Sequence, residues 1–306
     1  LFSAGIADIN SQNTLLDNIR AALFEAKDHK KINKRGAIFL SSYGNKITLS
    51  SNRSPLHYGY GADIQYTAVQ AGAALAAIEN QNITANFGLL GIYGKLAFTP
   101  KGMAGADKST LDKWSLAAYG NVQHNSGVYA NALFSYGTLK GNITNALIGN
   151  TAELDGSSTL SASATIGHKL TTDTKGLLFE PQAQLVYQHL TFSTLSDVDG
   201  FNVDMGNPHQ WLLRVGGRLT QTISSVEKGS TTSFYGKVNL MKAFGDNSTI
   251  QIGDAFHLDS MGASVEGGFG VNAQLSHNFA LHADVTYQHK LQKAGISGLN
   301  FSGGIR

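Results

Sequence analysis

The sequence contains no cysteine, four prolines and little formal charge, with Asp, Glu, Lys and Arg together making up 14% of 306 residues. The missing cysteines exclude disulfides and thiolate metal sites, although they assign no compartment. Scarce charge says more. A typical soluble domain carries about 25% charged residues, yet here the shortfall accompanies an ordinary hydrophobic share of 42%. No run of 18 apolar residues occurs, so no helix is expected to span a bilayer. No charged stretch leading into an apolar one opens the chain, so a signal peptide is either absent or was removed ahead of Leu1. The net charge of +2, with basic residues dispersed except between Lys27 and Arg35, gives no case for nucleic acid.

What fills the chain instead is glycine, at 35 residues, together with Asn, Gln, Ser and Thr. The result is polar without being ionic. A transmembrane β-barrel requires this mixture, because lipid-facing and lumen-facing residues alternate along every strand and the mean hydropathy stays near zero; here it is −0.11.

The first 35 residues differ from the rest. Leu15, Leu16, Ile19, Ala22, Leu23 and Ala26 form a helical stripe, and Thr14 with Asp17 three residues on resembles a capping box. This predicts a helix from about Thr14 to Lys30, with Asn18, Arg20, Glu25 and Lys27 on its other face. Such a helix reaches roughly 25 Å at about 1.5 Å per residue, close to the roughly 25 Å apolar height of a membrane barrel. It suits either a lumen-threading helix or a surface helix on a soluble domain. The chain therefore divides into a linker with a helix at 1–35 and a β-domain at 36–306.

From Gly36 the period changes from helical to two. Along 179–192, Phe179, Ala183, Leu185 and Tyr187 oppose Glu180, Gln182, Gln184 and Gln188. Trp211, Leu213, Val215 and Leu219 oppose Arg214, Arg218 and Thr220 in the next segment. The alternation between Met261 and Leu275, and between Phe279 and Tyr287, is equally regular. Segments fall at 36–50, 62–78, 83–98, 111–123, 127–140, 158–171, 177–192, 209–223, 231–244, 261–275, 279–291 and 296–306. Twelve strands of this length exceed the ordinary 5 to 6 residues or so and fit the roughly 9 to 11 that a tilted membrane strand needs. The first two hold no clean alternation, and 141–157 reads as a long loop. Short turns alternate with longer loops, which is the barrel asymmetry and puts both ends of the β-domain on the short-turn side. The expected fold class is all-β, a 12-stranded antiparallel transmembrane barrel with an N-terminal α-helix in the lumen.

Strand parity turns Glu180, Arg214, Arg218, Glu266 and Asp284 inward, and Lys237 joins them as pore-lining. They are expected either to hold the helix and keep a hydrated path open, or simply to pair with one another across strands. On the helix side the corresponding candidates are Thr14, Asp17, Arg20 and Lys27. Ten histidines show neither HExxH nor paired-ligand spacing, so no metal is expected. Neither G-x-S-x-G nor a Ser-His-Asp pattern is present, which points away from an enzyme. The glycines around Gly267 and Gly270 lie within a strand and let a neighbour approach the wall.

Several segments also resemble a family. FEPQAQLVYQHLTF at 179–192 is similar to the "LEPQAQLSY" strand of autotransporter translocator β-domains of type V secretion. WLLRVGGRL at 211–219 resembles their "RLGLRL" strand, SATIGHKL at 163–170 their "SLEAGYRF", and GLNFSGGIR at 298–306 their last strand. The likeness covers about Trp114–Arg306 well and Leu1–Lys113 poorly. It implies a monomer in the Gram-negative outer membrane that exports its own passenger, absent here, and leaves the helix as a linker in the pore. It further implies the lipid bilayer, the barrel-assembly machinery and periplasmic chaperones as partners, and no cofactor. The family ordinarily ends in an aromatic residue, whereas this sequence stops at Arg306, and the expectation is that the last residues are omitted. Some members cut their passenger at an Asn of the helix; Asn10, Asn13 and Asn18 are the candidates here, although the paired-asparagine motif is absent. A passive outer-membrane pore, another 12-stranded outer-membrane protein or a soluble β-propeller or sandwich are the alternatives.

Overall fold

A computed structural model describes residues 2–26, 38–51, 61–102, 105, 107–145, 149–193, 195–196, 202–204, 206–225, 230–245, 249–252, 254–257, 262–276 and 279–306. One helix, α1 (Phe2–Ala26), precedes twelve long strands: β1 (Ile38–Ser50), β2 (Gly61–Glu79), β3 (Ile83–Lys101), β4 (Ser109–His124), β5 (Val128–Asn145), β6 (Gly149–His168), β7 (Leu177–Thr191), β8 (His209–Ser225), β9 (Ser230–Phe244), β10 (Ala263–Ser276), β11 (Phe279–Lys290) and β12 (Gly295–Ile305). Each pairs antiparallel with its sequence neighbour, and β1 closes the ring against β12 from Leu40↔Ile305 to Ser50↔Gly295. Closure leaves no sheet edge, which a structure surrounded by lipid requires because an unpaired backbone N–H there finds no water.

The turns after β2, β4 and β10 are short and lie at the end of the barrel where β1 begins and β12 finishes. The opposite, loop end carries two small antiparallel ribbons, Leu195–Ser196 with Asn202–Val203 and Thr249–Ile252 with Asp254–His257. One expected loop is mostly strand: β5 continues to Asn145 and β6 starts at Gly149. The register slips between Leu139 and Gly141 and again between Ile143 and Thr144, and such bulges erase the period-two signal while the pairing persists.

The weak alternation of β1 and β2 has a different cause. Both strands alternate in space, with Phe39, Ser41, Tyr43, Asn45 and Ile47 of β1 and Ile64, Tyr66, Ala68 and Gln70 of β2 buried in the lumen. Ile38 and Leu40 face outward at 76% and 49% exposure. Apolar residues thus occupy both faces, because the inner one packs against the helix.

That helix differs from the expected one at its start. It begins at Phe2 and not at Thr14, which lies inside it and gives its hydroxyl to the Asn10 carbonyl at 3.2 Å. Thr14 is therefore not a cap, and Asp17 makes an ion pair with the wall in place of a capping box. The stretch Phe2–Asn13 contains Gly5, two serines and two asparagines, all weak helix formers. Its apolar residues also point to different walls: Ala4 and Ala7 join the cluster around Phe39, Tyr43, Tyr66 and Leu90, whereas Ile6 and Ile9 meet Val186, Leu212, Met241 and Ala243. Surrounded by wall, the segment shows no single stripe to mark it. The expected end, Lys27 to Lys30, lies outside the described residues.

Glycines on the inner wall let tyrosine rings lie flat on it. Tyr66 covers Gly94, Tyr119 covers Gly88, Tyr129 covers Gly167 and Tyr235 covers Gly270; a Cβ on Gly94 would sit 2.3 Å from the Tyr66 oxygen. This is close packing across strands, with the ring filling the space that glycine leaves. Gly94→Ala is expected to cost about 1–3 kcal/mol through overpacking, read as a lower urea midpoint of the refolded barrel. An unchanged midpoint would mean that Tyr66 has another resting place.

Candidate functional site

The site is the contact between α1 and the lumen wall. β1 and α1 set its direction: Asn45 Nδ2 donates to the Ser3 carbonyl, whereas Gln70, next to Ser41 nearer the turn end, donates to Ser11 Oγ at 3.0 Å. On β8, which descends from the loop end, Arg214 meets Asn10 and Arg218 meets Asp17. The helix therefore runs downward, with its N-terminus toward the loops and its C-terminus toward the turns, where β1 starts.

On the β7–β11 side, strand pleating places the charged residues on the lumen face. Arg218 donates to Asp17 Oδ2 at 2.7 Å, lies 4.0 Å from Glu180 and stacks on the Tyr235 ring at 3.7 Å. Arg214 donates to Gln184 Oε1 at 2.9 Å and to Asn10 Oδ1, with Glu266 3.9 Å away. Glu266 accepts from Asn239 at 2.9 Å. Lys237 and Asp284 pair with each other at 2.9 Å, and the Tyr235 hydroxyl donates to Asp284 at 2.8 Å. Of the six wall residues, the two arginines touch the helix. The two glutamates flank those arginines, and Lys237 and Asp284 pair within the wall. Asn13 exchanges two hydrogen bonds with Gln184, at 3.1 and 2.9 Å.

Charged groups out of water are tolerable when each has a partner of opposite sign and its remaining hydrogen-bonding positions are filled. The strongest example was not foreseen. Asp8, 3% exposed, accepts from Tyr43 at 2.7 Å and Tyr66 at 2.8 Å, and forms a buried ion pair with Lys113 of β4. Two signals could have found it. Asp8 is the sole acidic residue in 1–16, and Lys113 alternates with the outward Trp114 and Leu116. Neither stands out when the helix is taken to begin at Thr14. On the helix, Thr14 and Asp17 lie in the contact zone. Arg20 falls within α1 with no described side chain, and Lys27 lies outside the described residues.

Outside the barrel, Trp114 and Leu116 are 62% and 72% exposed, and Trp211, Phe279 and Tyr287 lie near strand ends. Trp211 packs on Tyr187 at 4.7 Å. An apolar band with aromatics toward its rims is the surface that meets lipid. Among the described residues, no three His, Asp or Glu side chains converge to hold a metal ion.

The geometry has counterparts. The β domain of the Bordetella autotransporter BrkA superposes with a TM-score of 0.69 at 19% identity, covering 89% of this chain and 98% of that one. The transport unit of autotransporter AIDA-I from Escherichia coli reaches 0.72 at 18% identity, with 91% of each chain covered. The translocator domain of NalP from Neisseria meningitidis reaches 0.67 at 14%, covering 98% of this chain and 96% of that one. These likenesses speak to fold. No curated protein sequence matches. The family model of the autotransporter β-domain, however, matches residues 39–286, and the chain therefore belongs to the autotransporter β-domain family, as a translocator barrel of the Gram-negative outer membrane.

Proposed function

We propose that this barrel exports its own N-terminal passenger, and that α1 is the linker left in the pore after transport. The observation that carries the reading is the direction of α1, whose N-terminus points to the loop end while its C-terminus leads back to β1 at the turn end. A chain joined ahead of Leu1 would leave at the loop end, which faces outward when the short turns face the periplasm. In this reading 1–35 is the linker, 36–306 the translocator, and the work is transport and not catalysis. The barrel acts as a monomer, inserted by the barrel-assembly machinery with periplasmic chaperones. A passive channel would have no use for a helix that fills its lumen.

The test is a reporter fused ahead of Leu1, followed by protease accessibility on intact cells. Surface exposure supports export, and a reporter retained in the periplasm refutes it. Arg214, Arg218, Glu180 and Glu266 hold the helix in this reading, with Lys237 and Asp284 maintaining the polar wall beside them. Arg214→Ala removes a charge-assisted hydrogen bond worth about 1.5–3 kcal/mol, so open probability in planar bilayers is expected to rise by about one to two decades at about 1.4 kcal/mol per tenfold. Glu266→Ala should act in the same direction. Unchanged conductance in both would reduce this group to pairing within the wall.

A further inference from the structure

Lumen polarity is uneven. The inner faces of β1 to β5 mix aromatic and apolar side chains with polar ones such as Asn45, Gln70, Asn86, Lys113, Ser115 and Asn121, and the charges of β7 to β11 are paired as described. β6 carries an unbroken run of hydroxyls. Its five successive inward residues are Ser157, Thr159, Ser161, Ser163 and Thr165, and beside them β7 turns in Gln184 and Gln188. This uncharged stripe of hydroxyls and amides extends about 27 Å along the strand at about 3.4 Å per residue, which at a strand tilt of about 35–45° spans about 20 Å of the apolar layer of about 25 Å.

Two features bear on what it does: polar atoms without a partner, which also occur elsewhere in the lumen at Asn86, Ser115 and Tyr119, and open space beside the helix. Ser157 Oγ, Thr165 Oγ1 and Gln188 Oε1 lack a hydrogen-bond partner although their residues are 0%, 6% and 3% exposed. Such atoms cost free energy unless something pairs with them. Two narrow crevices lie here between α1 and the wall. One is lined by Thr159, Ser161 and Gln188 against Ala4 and Gly5; the other is lined by Thr165 and Gln184 against Asn10 and Asn13, with Arg214, Lys237 and Glu266 on its far side.

We propose that the β6 stripe is the track along which the moving, extended part of the exported chain runs, hydrogen-bonding its main chain. This rests on the export reading above. An extended segment presents a donor and an acceptor at every residue whatever its side chains. A neutral row of hydroxyls, each able to donate and accept, serves any sequence equally, whereas fixed charges would trap some side chains and repel others. The wall of β1 to β5, with the cluster around Phe39, Tyr43, Tyr66 and Leu90, is left to the part of the chain that becomes α1.

The absence of cysteine makes the test clean. Ser161→Cys and Thr165→Cys, and separately Leu90→Cys and Ala117→Cys on the wall of β1 to β5, are placed in the barrel fused to a reporter ahead of Leu1. The reporter carries one cysteine in its linker and a folded block that stalls it in transit. Oxidation is expected to join the stalled linker to positions 161 and 165 with at least fivefold higher yield than to 90 and 117. Equal or reversed yields overturn the track, as does transport with no adduct at any position. If the cysteine-free parent fails to reach the surface, the export reading itself falls and this proposal with it. As a second measure, Ser161→Leu with Ser163→Leu should slow surface arrival about tenfold while Ser161→Thr does not; equal rates for the two would overturn the proposal.

Discussion

Replacing Lys113 with methionine is expected to unseat α1 and open the lumen. The lysine is 3% exposed and is the counter-charge of Asp8, whose carboxylate then keeps two tyrosine hydroxyls but no cation. Removing one partner of a buried pair costs about 3–5 kcal/mol, because the other charge stays behind unpaired. At about 1.4 kcal/mol per tenfold, the equilibrium between seated and displaced helix would move by about two to three and a half decades. Single-channel recording reads this directly as open probability. Asp8→Asn combined with Lys113→Met should return most of the loss, since an amide can satisfy both tyrosines without a net charge. If the double variant leaks as much as the single one, lost packing and not lost charge holds the helix. Arg214→Ala acts on a pair whose glutamate keeps Asn239 as a partner, which is why its expected effect is smaller.

Leu116→Lys should destabilise the barrel itself by about 2–4 kcal/mol, the cost of a lysine on the lipid face near the bilayer midplane. Leu116 lies midway along β4, is 72% exposed, and faces outward between Gly91 of β3 and Tyr136 of β5. Of these two neighbours, Tyr136 offers one phenolic oxygen and neither offers a counter-charge. Thr110→Lys, six residues nearer the loop end on the same face, should cost only about 0–1 kcal/mol because the side chain reaches the interface. Urea titration of barrels refolded into lipid vesicles compares the two. Similar midpoints would mean that β4 does not cross the membrane in this register, and the outer surface would need another assignment.

The sequence made some strands legible and others obscure for identifiable reasons. From Phe179 to Arg306 one face meets lipid and the other meets polar lumen, so alternation is written in residue type; every inward residue named there, from Glu180 to Asp284, is turned into the lumen. In β1 and β2 apolar residues stand on both faces, with Ser41, Asn45 and Gln70 among the inward ones, and the same geometry leaves little trace. Bulges removed the signal between Gly141 and Ser157. The helix is legible where its stripe is regular and not where it is enclosed, which hides Asp8, its buried charged anchor.

Sequence alone determined the 12-stranded barrel and the presence of an N-terminal helix, because pleat and helical period are local and act on every residue. Only the tertiary structure decided where that helix begins, which way it runs and which residues hold it. Asp8 meets Lys113 across 105 positions and Asp17 meets Arg218 across 201, and both meetings exist only once β12 closes on β1. No local period records a contact made by closing a ring around a helix.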